Sequence, residues 1–295
     1  MAETLNVDAP KSIAEFESLI NKVLPKKIFY KMLLRGKGLE FDSYRNFGND
    51  EDASAIDWKA SVRSNTLLAK QYVEERDMKI MFVMDVGDNM IFGSQEKLKC
   101  EYAAEMAAAF AHVLVNTGDK TGFIFFNDHI VNMSPPATGK KQFDIFAYNL
   151  ENPENYGGFS DLGESLLSIL ERLDPSISLV ILISDFINVN PEFVKRFEEL
   201  GNVFETIAIM VRDPLDLTFP DVNKEVVLEN SETGEKLIVN PRIAKKVYEI
   251  NSQKQIEFIR KLMINSNIDL LELNTGEGFA FKLANFLKSR VDRRD

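Results

Sequence analysis

From Met78 onward, short apolar runs alternate with longer segments whose apolar residues recur at helical spacing, and no other feature constrains the fold as much. The runs are Ile80 to Val86, Gly122 to Phe126, Leu179 to Ser184, Val203 to Val211 and Ile268 to Leu273. A strand with one wet face alternates apolar and polar residues, whereas a continuous apolar run is covered on both faces. Helical segments at Gln95 to Asn116, Lys141 to Leu150, Asp161 to Leu173, Pro191 to Leu200, Arg242 to Asn265 and Phe279 to Arg290 supply that cover. The order predicts an α/β fold, a doubly wound and mostly parallel sheet flanked by helices. His129 to Met133 follows the short turn Asn127-Asp128 and reads as an antiparallel strand, since a parallel return needs a long crossover. Ser94 is placed to cap the first helix and Gly118 to end it. The alanines at 103, 104, 107, 108, 109 and 111 let that helix approach the sheet closely. Pro191 suits a first helical turn, where its missing N–H costs nothing.

The chain before residue 77 has a different texture. A helical stretch, Ile13 to Leu24, precedes a segment rich in Gly, Asp, Asn and Arg from Arg35 to Asp57, and no long linker follows. Residues 1–76 are therefore expected to form an N-terminal segment packed on a main domain of residues 77–295. Between Pro214 and Pro241 the helical pattern lapses. Val226 to Leu228 and Leu237 to Val239 flank Ser231-Glu232-Thr233-Gly234, which reads as a small β-hairpin insertion.

Composition narrows the function. With 35 Lys and Arg against 46 Asp and Glu in 295 residues, the net charge is −11, the wrong sign for a nonspecific nucleic-acid or anionic-membrane binder. One cysteine, Cys100, and two histidines, His112 and His129, exclude a disulfide framework and any cluster built on several Cys or His ligands. No basic start with an apolar core opens the chain, and no apolar run approaches the roughly 20 residues that span a bilayer. A cytoplasmic protein without membrane insertion is expected. Walker A and nucleophile-elbow patterns are absent, and neither Cys100 nor His129 has a catalytic partner nearby in sequence.

In an open α/β sheet, ligands bind beyond the carboxyl ends of the strands. Three such places are rich in oxygen-bearing side chains: Asp85-Val86-Gly87-Asp88-Asn89, Ser184-Asp185, and Gly157-Gly158-Phe159-Ser160-Asp161 before a helix. Oxygen donors of this kind are what Mg²⁺ or Mn²⁺ requires.

Asp85-x-Gly87-x-Asn89, Ser160 and Asp185 resemble the three parts of the metal-ion-dependent adhesion site of von Willebrand factor A domains. Beyond the generic fold, Tyr44 to Asp50, Ile56 to Arg63, Leu67, Lys70, Glu75-Arg76-Asp77, Gly118 to Gly122 and Glu232-Thr233-Gly234 resemble the family called domain of unknown function 58, from about residue 30 to the end. The resemblance implies a von Willebrand factor A-like fold and a protein-binding module. It also implies a MoxR-type AAA+ ATPase as partner, acting on a client protein in the assembly or maturation of complexes. Asp85, Asn89, Ser160 and Asp185 are the implied metal ligands. Gly87 and Asn89 stand where that pattern carries hydroxyls, so the site is expected to hold Mg²⁺ or Mn²⁺ only weakly. Asp88 and Asp161 on the same loops, with Trp58, Arg63 and Arg76 in the N-terminal block, are the expected partner contacts.

Other readings stay open on sequence alone. Asp85 and Asp185 could hold Mg²⁺ for a phosphoester hydrolase, or could merely bind loop N–H groups in a metal-free regulatory scaffold. Trp58, within the mixed charges of Arg45, Asp57, Lys59, Arg63 and Lys70, reads either as a core anchor or as part of a docking surface.

Overall fold

The computed structural model describes residues 4–23, 39–48, 56–74, 78–219, 224–229 and 236–292. Helix α1 is Ala9–Val23; β1, Leu39–Asn46, and β2, Leu68–Glu74, pair antiparallel around the short helix α2, Trp58–Ser64. The main sheet follows: β3 Lys79–Asp85, α3 Lys99–Thr117, β4 Lys120–Phe126, β5 Ile130–Ala137, α4 Lys140–Glu151, α5 Leu162–Arg172 and β6 Leu179–Ser184. It continues with α6 Val194–Val203, β7 Thr206–Arg212, the hairpin β8 Val226–Glu229 and β9 Lys236–Val239, α7 Pro241–Asn265, β10 Asp269–Asn274 and α8 Phe279–Asp292.

The six-stranded sheet runs β10-β7-β6-β3-β4-β5, all parallel except β5. Its four inner strands β7, β6, β3 and β4 are buried on both faces, and alternation along β3 shows why the runs are unbroken. Ile80, Phe82 and Met84 enter a core with α1, α3, α4 and α8, while Met81 and Val83 enter a second core with α5, α6 and α7. The expected doubly wound architecture, the antiparallel edge strand and the inserted hairpin are all present; the hairpin's turn, Ser231 to Gly234, lies outside the described residues. All six alanines named above on α3 are fully buried, and Gly118 ends that helix at φ 98°, in the left-handed region open to glycine.

Three sequence expectations shift. The helix after β3 starts at Lys99 instead of near Gln95, with Leu98 at its cap and Glu101 accepting from the Leu98 N–H at 2.8 Å. Ser94 does not cap it because its hydroxyl and N–H are drawn to Asp213, at 2.6 and 2.8 Å. The run beginning at Val203 enters the sheet only at Thr206, since Val203 closes α6. The polar segment within 35–57 contributes strand β1, whose sequence LEFDSYRN hides it.

Helix α1 belongs to the first core. Phe16 is fully buried, with its ring 6.3 Å from Phe110 and 6.5 Å from Phe279. Two buried carboxylates on α3 hold the residues leading into α1: Glu101 accepts from the Asn6 N–H (2.6 Å), and Glu105 from the Asp8 N–H (2.5 Å) and Ser12 hydroxyl (3.1 Å). Phe16→Ala is expected to cost about 3–5 kcal/mol in urea unfolding followed by circular dichroism, the cost of a core cavity. A loss below about 1 kcal/mol would show α1 to be a detachable arm.

Candidate functional site at the strand ends

The chain winds outward from β3 in both directions, so strand order reverses between β3 and β6, and the parallel edge opens at that point. Asp85 closes β3 and Asp185 follows β6, each 1% exposed. Asp85 Oδ1 accepts from the Gly87 N–H (3.1 Å) and the Ser160 hydroxyl (2.9 Å). Its Oδ2 accepts from the Asn89 amide (3.0 Å) and the Ser184 hydroxyl (2.8 Å). A carboxylate offers about four lone-pair directions, so Asp85 is saturated. All four donors are neutral. Burial first, then the Asp185 charge, push the Asp85 carboxyl up to about 6 against the lowering effect of these bonds.

Asp185 is held by a charge. Its Oδ2 accepts from Lys99 Nζ at 2.7 Å and its Oδ1 from the Ile187 N–H at 3.0 Å. Lys99 is itself 1% exposed; its ammonium also reaches Asp216 at 3.1 Å and lies 5.5 Å from the centre of the Phe92 ring. Burial drives the Asp185 carboxyl up, but Lys99 and Arg212 outweigh it and hold the group below the usual range. Burial likewise pulls Lys99 down, and Asp185 with Asp216 outweigh that, so the ammonium stays charged. Next to them Asp213 accepts from the Ser94 N–H and hydroxyl, the Leu215 N–H (2.9 Å) and the Thr275 hydroxyl (2.9 Å).

The loop carrying Ser160 is stitched to these strand ends. Gly157 and Gly158 sit at φ 122° and 86°, the region where L side chains are strained. The Gly157 N–H donates to the Val86 carbonyl, the Asp88 N–H to the Gly158 carbonyl, both at 2.8 Å, and the Asn127 amide to the Gly157 carbonyl at 2.9 Å. A Cβ on Gly87 would lie 2.4 Å from Ser160 Cβ and 2.8 Å from Asn89 Oδ1. Glycine is thus required there by packing. A groove of about 430 Å³ near the start of α1 is lined by charges of both signs, among them Asp8, Lys11, Glu96, Lys97 and Glu277, and its lining does not include Asp85 or Asp185.

The family model described as "Protein of unknown function DUF58" matches residues 43–256. The chain belongs to that family. Relatives of this DUF58 protein include the "Uncharacterized protein Rv1480" of Mycobacterium tuberculosis and "Uncharacterized protein Mb1516" of Mycobacterium bovis, each 23% identical over 88% of this chain and 81% of the relative. Similar solved structures include the conserved hypothetical protein BatB of Bacteroides thetaiotaomicron, 13% identical over 73% of this chain and 99% of BatB, with a TM-score of 0.45. A von Willebrand factor type A protein of Catenulispora acidiphila is 9% identical over 88% of this chain and 51% of that one, with a TM-score of 0.41.

Of the residues singled out in sequence, the DUF58 fold brings Asp85, Asn89 and Ser160 into direct hydrogen bonding and sets Asp185 just past the end of the neighbouring strand β6. Asp88 is half-buried in the turn after β3, and Asp161 caps α5 by accepting from the Glu164 N–H at 2.9 Å. Trp58 and Arg63 lie on α2, outside this cluster, and Arg76 lies outside the described residues. Trp58 is no core anchor: it is 62% exposed. Sequence reasoning missed Lys99, Arg212, Asp213 and Asp216. For Arg212 and Asp213 the available signal was position, since they directly follow the run ending at Val211.

The donors do not suit the Mg²⁺ or Mn²⁺ that the fold resemblance implies. Asp85 has no free lone pair, both Asp185 oxygens are engaged, and Gly87 offers nothing. Asn89 Oδ1 is buried without a hydrogen-bond partner among the described residues, but it is a neutral amide oxygen. A hard dication needs anionic oxygens in near-ideal geometry. Among the described residues, no group of three or more His, Cys, Asp or Glu is placed to hold a metal ion.

The Asp85 carboxyl gives a pH test. An unfolded aspartate ionises near 3.8 and the folded Asp85 at about 6, so the folded state keeps its proton longer. Stability from this group is fully present below the unfolded value and is lost as pH rises through about 6. Relative to Asp85→Asn, the wild type should therefore lose roughly 2 kcal/mol of unfolding free energy between about pH 4 and about pH 7. Parallel denaturation curves of the two proteins across that range would show a Asp85 carboxyl near its ordinary value.

Proposed function

We propose that this DUF58 protein is a protein-interaction module that works with a MoxR-type AAA+ ATPase in the assembly or maturation of protein complexes. The observation that carries this reading is helix α2. Trp58 is 62% exposed and Val62 is 80% exposed, one turn apart on one face, and the exposed Lys59 and Arg63 repeat the same spacing beside them. Apolar area of that size gains nothing by facing water, and Trp and Arg are the residues that most often anchor interfaces. Against a net charge of −11, a basic and aromatic face suits a partner presenting acidic residues around an apolar patch.

The helix is also held in place before any partner arrives. The Asp57 carboxylate accepts from the Lys59 and Ala60 N–H groups at 3.0 and 3.1 Å, from the Tyr44 hydroxyl at 3.2 Å, and pairs with Lys70 at 3.3 Å, which ties α2 to both strands of its hairpin. The Ala60 bond, ahead of the others, holds the Asp57 carboxyl below its ordinary value. A preorganised face loses less entropy on binding. Hydrolysis is less well served by the strand ends, where Asp85 is fully bonded, Lys99 is buried, and burial pushes the Cys100 thiol up to about 12.

The test is the affinity of the purified protein for a MoxR-type ATPase of the same organism, by biolayer interferometry with nucleotide present. Trp58→Ala and Arg63→Glu are each expected to weaken binding about 30-fold or more while circular dichroism is unchanged. Undiminished affinity in both variants would remove α2 as the contact, and no binding by the wild type would remove the ATPase as the partner.

A further inference from the structure

The structure assigns Lys99 the place of a resident cation: its ammonium supplies the positive charge at the strand ends, so this site works without a divalent metal, and removing the ammonium creates a metal site there. Asp185 and Asp216 come from different strand ends; Asp185 is fully buried and the Asp216 side chain is 9% exposed, so neither stays ionised there cheaply without a counter-charge. One ammonium answers both, at 2.7 and 3.1 Å, with the Phe92 ring on another side. The backbone of Lys99 is anchored as well: its N–H donates to the Phe92 carbonyl at 2.8 Å, and Lys99 begins α3, whose next residue bonds the Met90 carbonyl at 2.9 Å.

Independent packing evidence points the same way. The room that a side chain at position 87 would need to offer an oxygen is filled by Ser160 and Asn89. The four donors on Asp85 use its acceptor capacity, and the charge that acts on it is that of another carboxylate, Asp185. A dication entering such a site would have to displace Lys99 from Asp185 and break two hydroxyl bonds to Asp85. The ammonium is covalently attached, so its encounter with the two carboxylates is intramolecular and costs no association from solution. Without it, Asp185 and Asp216 would both face the vacated space, two anionic oxygen donors of the kind that Mg²⁺ or Mn²⁺ takes alongside waters.

The experiment is a Mn²⁺ titration of the metal-stripped full chain, read by isothermal calorimetry and thermal unfolding. The wild type should show no saturable heat and less than about 1 °C of shift up to about 10 mM Mn²⁺. Lys99→Ala should melt lower in metal-free buffer and regain at least about 3 °C saturably on Mn²⁺ addition, whereas Lys99→Ala combined with Asp216→Asn should regain none. If Lys99→Ala does not fold, Lys99→Gln, which keeps length and a donor but no charge, is measured in its place. Saturable Mn²⁺ binding by the wild type below about 1 mM overturns the assignment, and so does an uncharged variant that gains no Mn²⁺ response. Neither readout involves the ATPase, so this outcome is separate from the fate of the proposed function.

Discussion

The contact of Lys99 with Asp185 and Asp216 is the interaction on which the strand-end edge depends. Each of these charges is expensive to bury alone, and removal of one partner leaves the others uncompensated. The three belong to the first turn of α3, the end of β6 and the short turn after β7, so a single ammonium fixes three elements relative to one another. Asp213 extends the clamp through Ser94 to the loop before α3 and through Thr275 to the end of β10. Parallel strands buried on both faces leave only their ends free for polar groups, which is why so many converge at one edge.

What could be read in the sequence follows from range. The apolar runs are local signals, and five of the six main strands emerge from them with ends moved by a few residues. Asp85, Ser160 and Asp185 were legible because fold class fixes where strand ends lie. Lys99 was not, since its partners stand 86 and 117 residues away and a lysine at a helix start looks like any solvated charge. Strand β1 was hidden because its residues are mixed in polarity and its structure depends on pairing with β2. Trp58 illustrates the converse: tryptophans are usually well covered, and only the tertiary placement of α2 reveals one that is not.

The opposite edge of the sheet uses the same device for a purely architectural end. Arg290, 4% exposed, pairs with Glu205 and with Asp269 at 2.7 Å, joining the last helix to the starts of β7 and β10. A buried cation between two carboxylates is therefore a recurring joint in this protein. Its presence at the carboxyl edge is not in itself a sign of chemistry, which shifts the weight of a functional reading toward the exposed face of α2.

Asp85 fits this architectural view in a different manner. Its ionised form is disfavoured by burial and by Asp185, and among the described residues no salt bridge reaches it, so charge alone would favour an apolar residue. Its four donors explain why a carboxylate stands there. They come from the loop after β3, from the end of β6 and from the loop before α5, and each donor would be left unpaired in a dry interior if the acceptor were lost. One acceptor-only group with two oxygens can serve all four, which neither an amide nor a hydroxyl can do. The carboxylate is thus the node at which two loops and the end of β6 meet, and the elevated Asp85 value is the electrostatic cost of joining them.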